Sequence, residues 1–229
     1  MLANKLPPVA TSLAGTNADP EIRRLGPLLT LSTAADHAAT ITPVFASRYC
    51  YQMSSFTQQI VANRVTMALC DAVASSVLMN GRYKCHLPPI FETVARVPSI
   101  TLEAYIRRFF SCKTCSLQAI GMALLYIDEL IAHNHVCISP TAVFKLFAMA
   151  LTVAIKTLED DVYNNEWMAW YAGMKSTEFF DLELNFLMLI KFGVHANWNT
   201  VATYVRALEA SAVQAYIIEH APLMKPFAC

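Results

Sequence analysis

The sequence predicts an all-α protein, because apolar residues return every three or four positions in one segment after another. Serine, threonine or asparagine precedes several of these segments, as is typical of helix starts. No segment shows the strict alternation of polar and apolar residues that marks a half-buried strand. The pattern therefore predicts a bundle of about five helices between residues 99 and 192, with one helix before it and one after it.

The composition supports one domain and argues against several classes of partner. The chain has 229 residues, of which 55% are hydrophobic and 15% charged, and this is enough for one substantial core. Seventeen basic and seventeen acidic residues balance to a formal charge of zero, so we expect no binding to nucleic acid or to anionic lipid. Seven scattered cysteines do not suggest a disulfide framework and fit a reducing compartment.

Two features bear on location. The N-terminal sequence MLANKLPPVATSLAGTN lacks the continuous apolar region of a secretory signal, so we expect an intracellular protein of the cytoplasm, the nucleus or both. The apolar run at residues 146–155 is shorter than the roughly 20 residues that span a bilayer. We therefore expect it to be a core helix and expect no membrane partner.

The first part of the chain divides into three segments. Residues 1–45 combine Pro, Ala, Thr and Ser with a single aromatic residue, which predicts a flexible tail. Residues 50–80 predict an amphipathic helix, and residues 81–98, punctuated by proline, predict an extended connector. The apolar face of that helix consists of Val61, Val65, Ala68, Leu69, Ala72, Val73 and Val77.

The first two helices of the bundle have clear start signals. Ser99 is a candidate N-cap for the first helix, and Glu103 suits the positive end of that helix. Ser116 is a candidate cap for the second helix, which ends at the polar residues 133–135. The apolar face of the first helix comprises Leu102, Tyr105, Ile106, Phe109 and Phe110.

The remaining helices follow from similar signals. Ser139 and Pro140 predict a third helix that runs to about residue 158, because proline suits the first helical position. Asn164 and Asn165 predict the start of a short aromatic helix, which a glycine at position 173 ends. Ser176 is the expected cap of the fifth helix. Residues 197–221 predict a C-terminal helix that stops before a proline.

A charged residue in the fifth helix is the most informative feature. Glu183 has Phe179, Phe180, Phe186 and Leu187 three or four positions away, so a helix places its carboxylate inside an apolar surface. An isolated buried carboxylate is costly, so it needs a cation or a surface that another molecule covers. The candidate cation is Lys156, at the end of the apolar run and on the same helical edge as Lys145. From these residues alone, a salt bridge between Lys156 and Glu183 within the monomer is the favoured explanation for the buried carboxylate.

Patterns for catalysis are scarce. The sequence lacks a Gly-rich phosphate loop and the GxSxG and HExxH patterns, so we expect no catalytic residue, no cofactor and no small-molecule substrate. Cys112 and Cys115 have the spacing of a zinc half-site or redox pair, which His133, His135 and Cys137 could approach, but an ordinary loop is favoured and we expect no metal.

Two further groups have a bland and a functional interpretation. The acidic pair at residues 128–129 and the acidic run at residues 159–161 could serve acid–base chemistry or a divalent ion, but solvated helix ends are favoured. The aromatic residues Trp167, Trp170 and Tyr171 could form a ligand cage, but burial against the bundle is favoured.

Four stretches resemble a known family: VPSITLEAYIRRF, LLYIDEL, FAMALTVAIKTLEDDVYNNEWMAWYAG and STEFFDLELNFLMLIKFGV. Together they resemble the single-box cyclins of the phosphate-pathway type, also called P-type or U-type cyclins, over about residues 98–208. The resemblance implies a five-helix cyclin box at residues 99–192. It also implies a regulatory subunit without catalytic activity, which binds and activates a cyclin-dependent kinase by gripping the kinase's mobile regulatory helix.

The resemblance also assigns residues. Lys156 and Glu183 match the family's kinase-binding lysine and glutamate, with Val153 and Leu187 as their apolar surround. Thr157 and Glu159 complete the kinase-binding set that the resemblance implies.

A second, weaker assignment concerns substrates. Leu102, Ile106 and Phe109 match the docking face of larger cyclins, but Glu103 stands where those cyclins have arginine, and a core face is favoured. The alternative function is a helical adaptor or scaffold with a cyclin-like fold that binds a partner other than a kinase. An enzyme or metal-redox protein is the third possibility.

Overall fold

The computed structural model of the protein describes residues 49–79, 85–92, 99–134, 136–161 and 163–220. The predicted tail at residues 1–45 and much of the connector at residues 81–98 lie outside these ranges. Within them the prediction of an all-α protein is confirmed, because seven α-helices account for most of the described residues. These helices are α1 (Ser55–Met79), α2 (Leu102–Phe110), α3 (Leu117–Asn134), α4 (Ala142–Leu158), α5 (Asn165–Ala172), α6 (Ser176–Leu189) and α7 (Trp198–His220).

Short elements connect the helices. Two 3₁₀ turns lie at Cys50–Gln52 and Pro89–Phe91. The strands β1 (Cys85–His86) and β2 (Val136–Cys137) pair in parallel, which the sequence did not predict. Two residues are too few to show the alternation by which a strand is recognised.

Helix α4 lies at the centre of the bundle. Residues 146–155 are all buried, as expected of a core helix, and α4 packs against α3, α5 and α6. The one polar residue of this run, Thr152, donates its hydroxyl hydrogen bond to the carbonyl of Ala148 at 2.7 Å. The run therefore carries no unsatisfied hydroxyl into the core.

Helices α1 and α7 cover the other side of α3. The close approach of α7 to α3 occurs at Gly121, where a Cβ atom would lie 2.9 Å from Cγ2 of Val205. By length and composition α1 could cross a membrane over Ser55–Val77. Its inner side, on which Val61 and Leu69 are fully buried, packs against α2, α3 and α7.

Helix starts follow the predicted caps in two cases. Ser116 accepts a hydrogen bond from the amide of Ala119 at 3.0 Å and caps α3. Asn164 accepts from the amide of Trp167 at 3.0 Å and caps α5. Both bonds satisfy an amide that the first helical turn leaves without a partner.

Three other starts differ from the prediction. Thr101, not Ser99, caps α2, because its hydroxyl lies three residues before the amide that it binds, at 3.2 Å. Ser139 does bind the amide of Ala142, but α4 begins at that alanine and not at the proline. Ser176 is the first residue of α6 and provides no side-chain cap.

A tight turn joins α5 to α6. Gly173 ends α5 with φ of 67°, a left-handed conformation that favours glycine. The amide of Met174 then bonds to the carbonyl of Ala169 at 2.9 Å. As a result, α6 starts beside α5 and both helices pack against the end of α4.

Candidate functional site

The structure brings Lys156 and Glu183 together, as the sequence predicts. Lys156 lies in the last turn of α4 and Glu183 in the middle of α6, and the lysine Nζ donates to the glutamate Oε1. The side chain of Lys156 is 33% exposed and that of Glu183 is 11% exposed. The pair therefore opens to solvent on the side of the lysine.

A third side chain completes the site, and the sequence did not identify it. Asn165 accepts a hydrogen bond from Nζ of Lys156 at 2.6 Å through its Oδ1. Its Nδ2 donates to Oε2 of Glu183 at 2.8 Å. The three side chains form a closed ring of hydrogen bonds, which we call the Lys–Asn–Glu cluster.

The local sequence explains how Asn165 reaches this position. Its neighbour Asn164 caps α5 with its own side chain, so Asn165 becomes the first residue of the helix. The sequence predicts a helix start at this pair of asparagines and includes both in a stretch that resembles the family, but it assigns neither of them to the site. A second polar residue directly after a cap is the signal that could have suggested a separate role.

Exposed apolar side chains border the cluster on α6. Phe180, Leu184 and Met188 are 60%, 44% and 51% exposed, and Leu187 is half-buried. Their spacing of three and four residues places them along one side of α6, next to Glu183. We call Phe180, Leu184, Leu187 and Met188 the α6 stripe. Contiguous exposed apolar surface of this kind is typical of a protein-binding site.

The turn after α6 presents one more exposed aromatic residue. Lys191 and Phe192 both have left-handed backbones, with φ of 53° and 55°, and Phe192 is 59% exposed. A hydrogen bond from the amide of Phe192 to the carbonyl of Leu187, at 2.8 Å, holds the turn. Each such conformation costs about 1–2 kcal/mol for a residue other than glycine, and strain of this kind is common at functional sites.

Of the other residues assigned to kinase binding, Leu187 and Thr157 are accessible and Val153 is not. Thr157 is exposed, and its hydroxyl donates to the carbonyl of Val153 at 2.7 Å. The Val153 side chain is only 3% exposed. It therefore belongs to the core and not to the open surface.

The structure corrects the placement of Glu159. Its carboxylate is buried and accepts hydrogen bonds from the hydroxyls of Ser116, at 2.6 Å, and Tyr49, at 3.1 Å. Tyr49 also forms an antiparallel bridge with Ser116. Glu159 therefore joins three segments of the chain and does not lie on the open surface with Lys156.

The weak docking assignment also changes. Ile106 and Phe109 are completely buried, and only Leu102 is partly exposed. The apolar face of α2 is therefore a core face, which was the favoured interpretation.

Lys145 does not take part in the cluster. Its Nζ forms an ion pair with Glu178 at 3.0 Å and donates to the carbonyls of Ile90 and Glu92. These contacts fasten the chain before α2 onto α4. They border a cavity of about 320 Å³ between α2, α4 and α6, which Tyr105 also lines.

The two cysteines with the spacing of a zinc half-site have the properties of core residues. Cys112 and Cys115 are fully buried. Burial raises the pKa of the Cys112 thiol, and a hydrogen bond with the Cys50 thiol, together with burial, raises the pKa of Cys115. Protonated thiols are poor metal ligands and nucleophiles. Among the described residues, no three His, Cys, Asp or Glu side chains are arranged to hold a metal ion.

The expectation that the aromatic residues of α5 are buried is correct only for Tyr171. Trp167 and Trp170 are 55% and 58% exposed, because the eight-residue helix turns its other side to the core. The guanidinium of Arg108 lies 5.3 Å from the ring centroid of Trp170 and donates to its carbonyl at 2.7 Å. This contact ties the end of α5 to α2.

The acidic groups are also only partly solvated. Asp161 and Glu129 are exposed, as predicted. Asp128 is half-buried and accepts a hydrogen bond from the hydroxyl of Tyr204, and Glu159 is buried as described above. Both carboxylates therefore hold helices together.

Comparison with known proteins identifies a family. A family model described as Cyclin matches residues 30–194, which include part of the predicted tail. The chain is 27% identical to Cyclin-U2-1 of Arabidopsis thaliana over 70% of this chain and 73% of the relative. It is 31% identical to Cyclin-U1-1 of Arabidopsis thaliana over 50% and 55%. It is 28% identical to Cyclin-P3-1 of Oryza sativa subsp. japonica over 50% and 48%.

The chain thus spans about half the length of two of these relatives. The match confirms the resemblance to P-type and U-type cyclins that the sequence motifs indicated.

Proposed function

We propose that this chain, which belongs to the cyclin family, binds a cyclin-dependent protein kinase and activates it by gripping the kinase's mobile regulatory helix. Membership of the family assigns a cyclin-like regulatory role, and its members are regulatory subunits rather than enzymes. The finer proposal rests on one observation. The ion pair of Lys156 and Glu183 is partly exposed to solvent and lies beside the exposed apolar side chains of the α6 stripe.

The cluster can still bind a partner although its members bond to one another. A lysine ammonium has three N–H groups, and Lys156 uses two of them on Glu183 and Asn165. The carboxylate of Glu183 likewise has acceptor capacity left beyond its two bonds. The cluster therefore offers both a donor and an acceptor to backbone groups of a kinase helix.

The α6 stripe supplies the apolar part of the proposed interface. Interfaces combine a few central polar anchors with large apolar side chains that exclude water. Phe180, Leu184 and Met188 are of that type and lie on the same helix as Glu183. Once water is excluded, the hydrogen bonds of the cluster become stronger, because the local dielectric is lower.

Activation follows from differential binding. A free kinase that favours an inactive position of its regulatory helix shifts toward the active position when the cyclin binds only the latter. A shift from 1:99 to 99:1 requires about 10⁴-fold tighter binding to the active state. The cyclin supplies this difference without a catalytic group of its own.

The proposal is tested by titrating the full chain against a panel of purified cyclin-dependent kinase catalytic subunits, by calorimetry and by a kinase assay. We expect at least one kinase to bind and to gain activity. Lys156→Ala and Glu183→Ala should each weaken that binding by about 2–5 kcal/mol, because the remaining charge is left without its partner under a dry interface.

The control is Lys175→Ala, which removes an exposed lysine at the start of α6 and should leave the affinity unchanged. Circular dichroism should show the wild-type helix content in all three variants. Wild-type affinity in both Lys156→Ala and Glu183→Ala, or no binding to any kinase, contradicts the proposal. A helical adaptor for another protein would then be the better explanation.

A further inference from the structure

We infer that Asn165 is a positioning residue, which holds Lys156 and Glu183 in one geometry before the partner arrives. The inference rests on the proposed function, since the partner is the kinase, and adds to it a residue that acts through the other two. It starts from the observation that one amide group serves both charges. The Oδ1 atom of Asn165 orients the ammonium and its Nδ2 atom orients the carboxylate.

The two charged side chains need such a restraint. The ammonium of Lys156 lies at the end of a flexible four-carbon stem, and the side chain is one-third exposed. Without a second partner, this side chain can adopt several rotamers. Among the described contacts, Oε2 of Glu183 accepts only from Asn165. The ion pair fixes one oxygen and the amide fixes the other, so the plane of the carboxylate is defined.

Asn165 itself is held rigidly. It is the first residue of α5, and the cap at Asn164 fixes the start of that helix. The end of α5 is fastened to α2, because Tyr105 donates to the carbonyl of Ala172 at 3.3 Å and Arg108 donates to that of Trp170. A side chain on a helix anchored at both ends is a precise support for a binding site.

The energetic consequence is a gain in affinity without a new contact. Immobilising one flexible side chain on binding lowers the affinity by about two- to tenfold, and a preset geometry avoids this loss. Two such side chains are restrained here. Loss of the amide should therefore raise the dissociation constant of the kinase complex about tenfold.

The test uses the tightest-binding kinase of the panel as the probe and two matched variants, Asn165→Asp and Asn164→Asp. Each adds the same negative charge at the same helix end. Asn164→Asp keeps the cap, because aspartate caps as well as asparagine, and should stay within about twofold of the wild-type dissociation constant. Asn165→Asp loses the donor to Glu183 and puts a second carboxylate beside it, so we expect an increase of about tenfold or more.

A double-mutant cycle shows whether Asn165 acts through Glu183. We expect Asn165→Ala to raise the dissociation constant about tenfold in the wild-type chain but clearly less in the Glu183→Ala background. Fully additive effects would mean that Asn165 contacts the kinase independently and would overturn the inference. Helix content and thermal midpoint are measured for every variant, so that a folding defect is recognised.

The outcomes separate this inference from the proposed function. If Lys156→Ala weakens binding while Asn165→Ala and Asn165→Asp bind like the wild type, the positioning role is wrong and the kinase interface stands. If Lys156→Ala and Glu183→Ala both bind like the wild type, the proposed interface fails, and the positioning role fails with it.

Discussion

Glu159 is a structural residue at the end of α4, only three positions from Lys156. Its two oxygens accept from Ser116 and Tyr49, so the carboxylate connects the start of α3 and the segment before α1 to the end of α4. A buried carboxylate that accepts a hydrogen bond on each oxygen contributes to stability, because its removal loses both bonds.

We expect Glu159→Ala to lower the free energy of unfolding by about 1–3 kcal/mol, the usual cost of leaving buried polar groups without partners. The measurement is urea unfolding followed by circular dichroism. Asp160→Ala is the control at an exposed neighbouring position and should change the stability by less than about 0.5 kcal/mol. Equal stability of the two variants would show that the Glu159 network contributes nothing.

At this scale the sequence could predict Lys156 and Glu183 but not their third partner. Glu183 stands out because its helical neighbours are apolar. Lys156 is its candidate partner because it ends the apolar run of α4, although 27 residues separate the two. Asn165 lies nine residues from Lys156 and eighteen from Glu183, and its position at a helix start already explained an asparagine. The contact depends on how α4, α5 and α6 pack, which periodicity alone does not specify.

Helix α6 carries apolar residues on a buried side and on an exposed side. Phe179, Leu182 and Phe186 are buried in the core, while the α6 stripe is largely exposed. An exposed apolar stripe beside a buried one is typical of a helix whose outer side a partner covers. The exposed side is therefore expected to become interior when the proposed kinase complex forms.

A charge in the α6 stripe should weaken the complex. We expect Leu184→Asp to raise the dissociation constant of the kinase complex more than tenfold, about 1.4 kcal/mol, because a carboxylate would be buried without a partner. Met67→Asp on α1 is the matched control, since Met67 is also exposed, at 57%, and lies outside the proposed interface. Similar affinities of the two variants would remove the stripe from the interface.

The sequence predicts where helices begin better than it predicts which side of a helix faces the core. The caps at Ser116 and Asn164 follow from local hydrogen bonding, which the sequence encodes within three residues. The exposure of Trp167 and Trp170 could not be predicted, because it depends on which side of a short helix meets the core. The two-residue strands could not be predicted, because they are too short to show an alternating pattern.

The stability of the whole molecule should depend on alkaline pH through its buried tyrosines. Burial raises the pKa of both Tyr105 and Tyr204 above the ordinary tyrosine value, and Asp128 raises that of Tyr204 further. Below about pH 10 these phenols are protonated in both the folded and the unfolded chain. Above it the unfolded chain loses protons that the folded chain retains, so the free energy of unfolding falls as the pH rises.

We expect this fall to begin near pH 10 and to reach up to about 1.4 kcal/mol per pH unit for each such tyrosine. Tyr204→Phe should be less stable at pH 7, because Asp128 loses its hydrogen bond from the phenol, but its stability should fall less steeply above pH 10. Urea unfolding at a series of pH values measures both effects. An unchanged slope in Tyr204→Phe would contradict the role of its buried phenol.

At the scale of the whole chain, the fold class and the identity of the core were predictable. The run at residues 146–155 has the composition of a helix covered on all sides, and the structure buries every residue of it. The contact between Tyr49, in the segment before α1, and Ser116 could not be predicted. That contact joins residues far apart in sequence through a single bridge.

The shortness of α5 has a mechanical consequence. The eight residues of α5 span about 12 Å, so this helix moves as one rigid unit. Hydrogen bonds from Tyr105 and Arg108 of α2 hold its C-terminal end, and its N-terminal end carries Asn165. A ligand that tilts this helix at its α2 end also shifts the amide of Asn165 at the other end. Such a ligand would weaken the proposed binding of a kinase without contacting the proposed interface.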